Sequence, residues 1–112
     1  MKLWQAIEKG SKGATQTHNT FVDRDGAVCA QGAALKAIGK LGNPFTTDHH
    51  AIMAETWPEL AVRVEKCPAG CDLYGPLVGG RSRLVAHLNN HHHWPFHLII
   101  NWLRGVEGDE QP

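Results

Sequence analysis

The stretch HLNNHHHWPFHLIINWL, residues 87–103, decides how the C-terminal part of the chain folds. It continues a helix that Ser82 can cap, because apolar residues recur before it at helical spacing. Trp94-Pro95 interrupts this helix, and proline suits the first turn of the next one. The apolar face of that last helix consists of Phe96, Ile99, Ile100 and Leu103. Leu98 and Trp102 widen this face to most of the circumference, so the helix is predicted to be mostly buried. The stretch therefore predicts an αα-hairpin whose second helix packs into the core and ends near Gly105.

The first helix of this hairpin places its histidines at the edge of an apolar stripe. At about 100° per residue, His87 and His91 lie one turn apart along one edge of the stripe. His92 also lies toward the stripe, whereas Asn89 is turned further away. The imidazoles of His87 and His91 are thus predicted to border a buried surface.

Three further helices are predicted upstream from apolar spacing and end signals: one over residues 2–12, one that begins at 29 and ends at Gly39 or Gly42, and one over 47–57. The second of these is dense in alanine and carries little side-chain bulk on one face. A neighbouring helix can therefore approach its backbone closely, which predicts a central position.

A small β-ribbon is predicted between the first two helices. Apolar pairs at 21–22 and 27–28 flank Asp25-Gly26, a dipeptide that accepts the positive φ of a tight hairpin turn. Alternation at 62–65 predicts a third short strand at the edge of this ribbon. The predicted fold class is therefore α+β, mostly helical, with two or three short strands and a C-terminal αα-hairpin.

Composition limits the classes of protein that fit. The chain has 112 residues, of which 42% are hydrophobic, and this predicts a single compact domain over residues 1–105 with a polar tail at 106–112. Eleven basic residues balance eleven acidic ones, so no overall field favours nucleic acid or an anionic membrane. Without an apolar run of about 18 residues or a secretory segment, and with an odd number of cysteines, the chain is predicted to be cytoplasmic.

Two helices joined by a short turn also suggest a DNA-binding helix-turn-helix. A recognition helix must present polar side chains to a groove, but the last helix offers only His97, Asn101 and Arg104. The sequence therefore predicts a hairpin that serves the core rather than one that reads DNA.

The sharper chemical hypothesis is a zinc site. Cys67 and Cys71 form CxxxC in a loop rich in proline and glycine, and His87 and His91 form HxxxH on a helix. Zinc takes four nitrogen or sulfur ligands tetrahedrally, and these spacings let each pair chelate. Cys29 is an alternative fourth ligand.

Other interpretations of these residues remain open at this point. Each of the four could have an isolated structural role, as a hydrogen-bonded histidine or a small buried cysteine. A disulfide between Cys67 and Cys71 is another alternative, and His92, His93 and His97 are most simply solvated or hinge residues.

Catalytic machinery is not evident in the sequence. A nucleophile needs a base within hydrogen-bond reach and a third group that orients the base, and no such arrangement is visible. The segment GPLVGGRS lacks the lysine and the spacing of a P-loop. The chain is predicted not to be an enzyme.

The segments CAQGAALKAIG at 29–39 and HLNNHHHWPFHLIINWL at 87–103 resemble a group of small, mostly uncharacterised bacterial and phage- or prophage-encoded proteins. In that group a Cys-Ala-Leu-Gly-Ala-Ala segment opens a helix, and the C-terminus reads His-Leu-Asn-Asp, a Trp, then Ile-Ala-Asp-Trp-Leu. Here Gln31 stands where leucine is usual, Asn90 and Asn101 stand where aspartate is usual, and Pro95 replaces a capping hydroxyl. An amide cannot act as a general base, so these departures favour structural bonding.

The resemblance implies a mobile-element setting and no assigned activity. The leading expectation is a phage or prophage accessory protein in a bacterial host cell. It would act by contact with a host protein, as an inhibitor of a host defence system, with a homo-oligomer left open. The alternative expectation is a zinc-stabilised small binding module that uses Cys67, Cys71, His87 and His91.

Overall fold

The computed structural model describes residues 1–61, 67–71 and 80–108. Within these ranges the chain forms five α-helices and one short 3-10 helix. The elements are α1 (Leu3–Ser11), α2 (Ala30–Ala37), α3 (His49–Thr56), the 3-10 helix Pro58–Ala61, α4 (Gly80–Asn90) and α5 (Phe96–Glu107).

The predicted β-ribbon is wrong, and with it the α+β fold class, because the described residues contain no strand. Val28 forms only isolated bridges to Gln16 and Val22. The Asp23 carboxylate explains this, since its Oδ1 accepts the backbone N–H groups of both Asp25 and Ala27 at 2.9 Å and closes a local turn. Because α2 begins at Ala30, a second strand has no room to extend. The third predicted strand, at 62–65, lies outside the described residues.

The core is centred on α1 and α2, which make the most extensive helix-to-helix contact of the described residues. The close approach depends on Gly10 of α1, because a Cβ added there would lie 1.7 Å from the carbonyl oxygen of Ala33. Leu3, Ile7 and Leu35 are completely buried around this contact. The alanine-rich helix is therefore central because a neighbour can reach its backbone.

The last helix packs chiefly against α1 and makes a smaller contact with α4, so the predicted hairpin is not a closely paired one. Ile99, Ile100 and Leu103 of α5 are buried, and Phe96 is half-buried. Leu98 on the other side is exposed. The helix is therefore amphipathic, with one face in the core.

The C-terminal end of α5 is fastened to the start of α1. Glu107 Oε1 accepts the backbone N–H of Trp4 at 3.1 Å, and the indole N–H of Trp4 donates to the carbonyl oxygen of Gly108 at 3.0 Å. The Arg104 guanidinium lies over the Trp4 ring, 5.0 Å from its centroid. The predicted polar tail begins at residue 106, and two of its residues, Glu107 and Gly108, therefore contact Trp4 of the core.

We expect Gly10→Ala to lower the free energy of unfolding by about 3 kcal/mol or more, because the added methyl meets backbone that cannot move aside. Gly105→Ala is the matched control. It lies in α5 with nothing within 4 Å of an added Cβ, and it should raise stability by about 0.5–1 kcal/mol. Urea unfolding of both variants tests the contact of Gly10 with α2. Equal changes in the free energy of unfolding for the two variants would contradict it.

A second expectation concerns pH. Burial raises the pKa of the Glu107 carboxyl above its ordinary value, although backbone hydrogen bonds from Trp4 and Leu3 oppose the shift. A raised folded pKa means that Glu107 contributes stability below the ordinary carboxyl pKa and loses it as pH rises through the folded pKa. Glu107→Gln keeps an acceptor oxygen without titrating. Its unfolding free energy, relative to the natural protein, should therefore be higher at about pH 7 than at about pH 4. The opposite trend would contradict the burial argument.

Candidate metal centre

The C-terminal end of α4 turns back on itself and gathers three histidines. The backbone N–H groups of His91 and His92 both donate to the carbonyl oxygen of His87, at 2.8 and 3.3 Å. The backbone N–H of Trp94 donates to the carbonyl oxygen of Leu88 at 2.9 Å, and His93, just before Trp94, has a left-handed φ of 54°. The chain therefore folds back over the C-terminal end of α4, which places His92 beside His87 and His91.

The three imidazoles form a compact group. His87 and His91 are stacked, with ring centroids 4.9 Å apart and planes 12° from parallel. His92 meets both rings edge-on, at 4.6 Å from His87 and 4.8 Å from His91.

Two cysteines complete the group, which we call the Cys/His cluster: Cys67, Cys71, His87, His91 and His92. One triad consists of Cys67, His87 and His92, and the other of Cys71, His91 and His92. Within each triad the candidate ligand atoms lie within 4.8 Å of one another. Both cysteines are free thiols, so the alternative of a Cys67–Cys71 disulfide does not occur in this structure.

The first triad is the more buried of the two. Cys67 is 4% exposed and His87 is 6% exposed, whereas Cys71 is half-buried and His91 is exposed. The Nε2 atom of His92 is buried and makes no hydrogen bond within the described part of the chain. A buried polar nitrogen is stabilised by a partner, and a metal ion is one such partner.

Electrostatics favour the neutral imidazole that a metal requires. Burial lowers the pKa of His87, and the neighbouring His92 and His91 lower it further. A histidine binds a metal through an unprotonated ring nitrogen. The lowered pKa of His87 therefore favours its unprotonated, metal-binding form.

The spacing is close to that of a zinc site. Zinc bonds are about 2.3 Å to sulfur and 2.0–2.1 Å to nitrogen, so tetrahedral ligands lie roughly 3.3–3.8 Å apart. Shifts of about 1.5 Å or less would bring either triad to this spacing. Within the described residues, no fourth donor lies within 4.8 Å of all members of either triad.

The four residues predicted as zinc ligands are thus all in this cluster, divided between the two triads, and their role as ligands stays a prediction. The alternative ligand Cys29 lies elsewhere. It caps α2, where its Sγ accepts the N–H of Gly32 at 3.3 Å, and burial raises the pKa of its thiol.

His92 is the member that sequence reasoning assigned to solvent or a hinge. Its wheel position already pointed toward the apolar stripe, and the backward turn after Asn90 strengthens that placement. The other two histidines assigned in this way lie outside the cluster. His93 stacks on His18 with centroids 4.1 Å apart, and His97 is exposed on α5.

Asn89 holds the cluster in position. The sequence predicted that this residue points away from the core, but in the structure it is only 1% exposed. Its Oδ1 accepts the side-chain N–H of Gln16 at 2.8 Å and the backbone N–H of Ala30 at 3.1 Å. Its Nδ2 donates to the carbonyl oxygen of Thr17 at 3.0 Å and to Asn90 Oδ1 at 2.7 Å. One carboxamide thus fixes the end of α4 against α2 and the preceding loop.

Gln16 extends this network to α5. Its Nε2 also donates to the carbonyl oxygen of Trp94 at 2.8 Å, and its Oε1 accepts the N–H of Phe96 at 3.1 Å. The half-buried amide of Gln16 therefore joins the C-terminal end of the turn that carries His92 to the buried Asn89 at the end of α4.

No protein-family model, curated protein or solved structure matches this chain. Among the described residues, no helix is long and apolar enough to cross a membrane.

We expect Asn89→Ala to lower the free energy of unfolding by about 3–5 kcal/mol, because it leaves the N–H of Ala30 and the carbonyl of Thr17 without their partner. Asn101→Ala, at an exposed position of α5, should change it by less than about 0.5 kcal/mol. Chemical denaturation of the pair tests this, and a similar small loss for both would show that Asn89 does not anchor α4.

Proposed function

We propose that this chain is a metal-stabilised helical binding module whose Cys/His cluster binds one zinc ion. The observation that carries the proposal is the more buried triad, Cys67, His87 and His92, whose ligand atoms lie within 4.8 Å of one another. The second triad consists of Cys71, His91 and His92; it is more exposed and has His92 in common with the first.

The donor set selects the type of metal. The described cluster contains thiols and imidazoles and no carboxylate. Magnesium and calcium prefer oxygen ligands, whereas thiolate with imidazole suits zinc and related transition metals. Zinc is therefore the ion for which this cluster is best suited.

An ion here would join parts of the chain that lie far apart in sequence. Cys67 belongs to a short turn in which Gly70 N–H donates to its carbonyl oxygen at 3.0 Å, whereas His87 lies on α4. Ligands at two such sites are brought together only in the folded chain, so the free energy of metal binding adds to folding stability.

The accessory role in a phage or prophage setting, by contact with a host protein, stays a separate prediction from the resemblance. The zinc proposal does not depend on it. A zinc-stabilised module could carry such a contact surface, since the ion would stabilise the fold without supplying the partner's binding site.

The test is the zinc content of protein purified without a histidine tag. We expect about one zinc per chain in the natural protein, and at least a tenfold loss of zinc affinity in Cys67→Ser and in His92→Gln, since each removes a direct ligand. His97→Gln is the control, because it removes an exposed histidine outside the cluster. Circular dichroism of each variant at saturating zinc shows whether the fold persists.

Chelation gives an independent measurement. Removing the zinc should lower the midpoint of thermal unfolding, and adding zinc back should restore it in the natural protein and in His97→Gln. Zinc content well below one per chain, or equal retention of zinc in Cys67→Ser, would contradict the proposal.

A further inference from the structure

A cleft of about 430 Å³ opens beside the Cys/His cluster. Its polar lining comes from the loop between α1 and α2, from α3, and from α4 with the residue that follows it, and it includes two histidines of the cluster. These polar residues are Asn19, His50, Arg83, His87, Asn90 and His91. The surface of the cluster that faces this cleft is therefore accessible to a small molecule.

The chemistry of the lining favours an anion. It provides imidazoles, carboxamides and one guanidinium, and the described lining contains no carboxylate. Arg83 lies one turn before His87 on α4, and His91 directly follows the helix, with its N–H bonded to the carbonyl oxygen of His87. All three residues line the cleft. A guanidinium beside a metal site is a common partner for carboxylate or phosphate oxygens.

Asn90 adds a directed donor. Its Oδ1 is occupied, because it accepts the backbone N–H of Asn19 at 2.8 Å and the side-chain N–H of Asn89 at 2.7 Å. This orientation leaves the Asn90 Nδ2 group as the donor for the cleft. An amide donor and a guanidinium would then flank one entrance.

The more buried triad would supply three protein ligands, and zinc prefers four. Zinc bound by one thiolate and two neutral imidazoles has a net charge of about +1, which attracts an anion to the vacant position. His87 belongs to both the triad and the cleft lining, so the ion would lie at the boundary between them.

We propose that the metal centre keeps one coordination position open to this cleft and binds an oxyanion there, a carboxylate or a phosphate, with Arg83 and Asn90 as its protein contacts. This inference rests on the proposed zinc site. It differs from the closed site of two cysteines and two histidines that the sequence predicts, in which Cys71 or His91 would occupy the fourth position.

The oxyanion would belong to a larger molecule. A second cleft, of about 280 Å³, shares Asn19, His50 and Asn90 with the first and extends to Cys29 at the start of α2. Phe21 forms part of its wall, in edge contact with His50 at 4.9 Å between centroids. An organic group attached to the anion could therefore continue along this groove.

The experiment uses the full chain loaded with cobalt(II), whose visible absorption reports its ligands, in parallel with metal-free protein. Inorganic phosphate and acetate are titrated separately, which distinguishes the two oxyanion classes. We expect a saturable spectral change with at least one of them. Binding should be about three- to tenfold weaker in Arg83→Gln and unchanged in Arg24→Gln, an exposed arginine outside the cleft.

The outcomes separate this inference from the proposed function. Stoichiometric cobalt whose spectrum is unchanged by both anions shows a closed site and overturns the inference alone. Equal anion affinity in Arg83→Gln, or in metal-free protein, also overturns it, because the anion would then bind elsewhere. Failure to bind cobalt or zinc overturns the proposed function, and the inference with it.

Discussion

The buried carboxamide of Asn89 is the interaction on which the arrangement of this protein depends. All four of its hydrogen bonds are made inside the structure, to α2, to the loop before it and to the next residue of α4. A fully satisfied buried polar network favours one arrangement of its neighbours, because any displacement leaves polar groups without partners. The last turn of α4 is therefore fixed against the core.

The position of the Cys/His cluster follows from this constraint. His87 lies on the last turns of α4 and His91 directly follows the helix, and the turn that carries His92 is bonded to Gln16 through Trp94 and Phe96. The apolar contact of α1 with α2 supplies the rest of the core. Close packing of α1 against α2 thus stabilises the apolar core, whereas hydrogen bonds of Asn89 and Gln16 hold the histidine-bearing end of α4 in place.

Sequence patterns predicted the five helices of the described residues. The prediction that the last helix is mostly buried was wrong, because Leu98 is exposed. The patterns predicted the ribbon wrongly, because the Asp23 side chain closes a turn locally and α2 begins two residues after Val28. Neither effect is visible in the alternation of apolar residues.

The site was only partly predictable. Spacing identified Cys67, Cys71, His87 and His91 as candidates, but it could not place His92, whose position depends on a turn beyond the end of α4. It also could not show that Asn89 is buried, because a helical wheel does not reveal which distant loop covers the outer side of a helix.

X-ray absorption at the zinc edge of the natural, tag-free protein tests the central claim most directly, because it counts the sulfur and nitrogen atoms bound to the ion. The account predicts one sulfur at about 2.3 Å, two imidazole nitrogens at about 2.0–2.1 Å and one further light atom. A spectrum that shows no sulfur bound to zinc, or one that lacks the scattering of imidazole rings, would contradict the account.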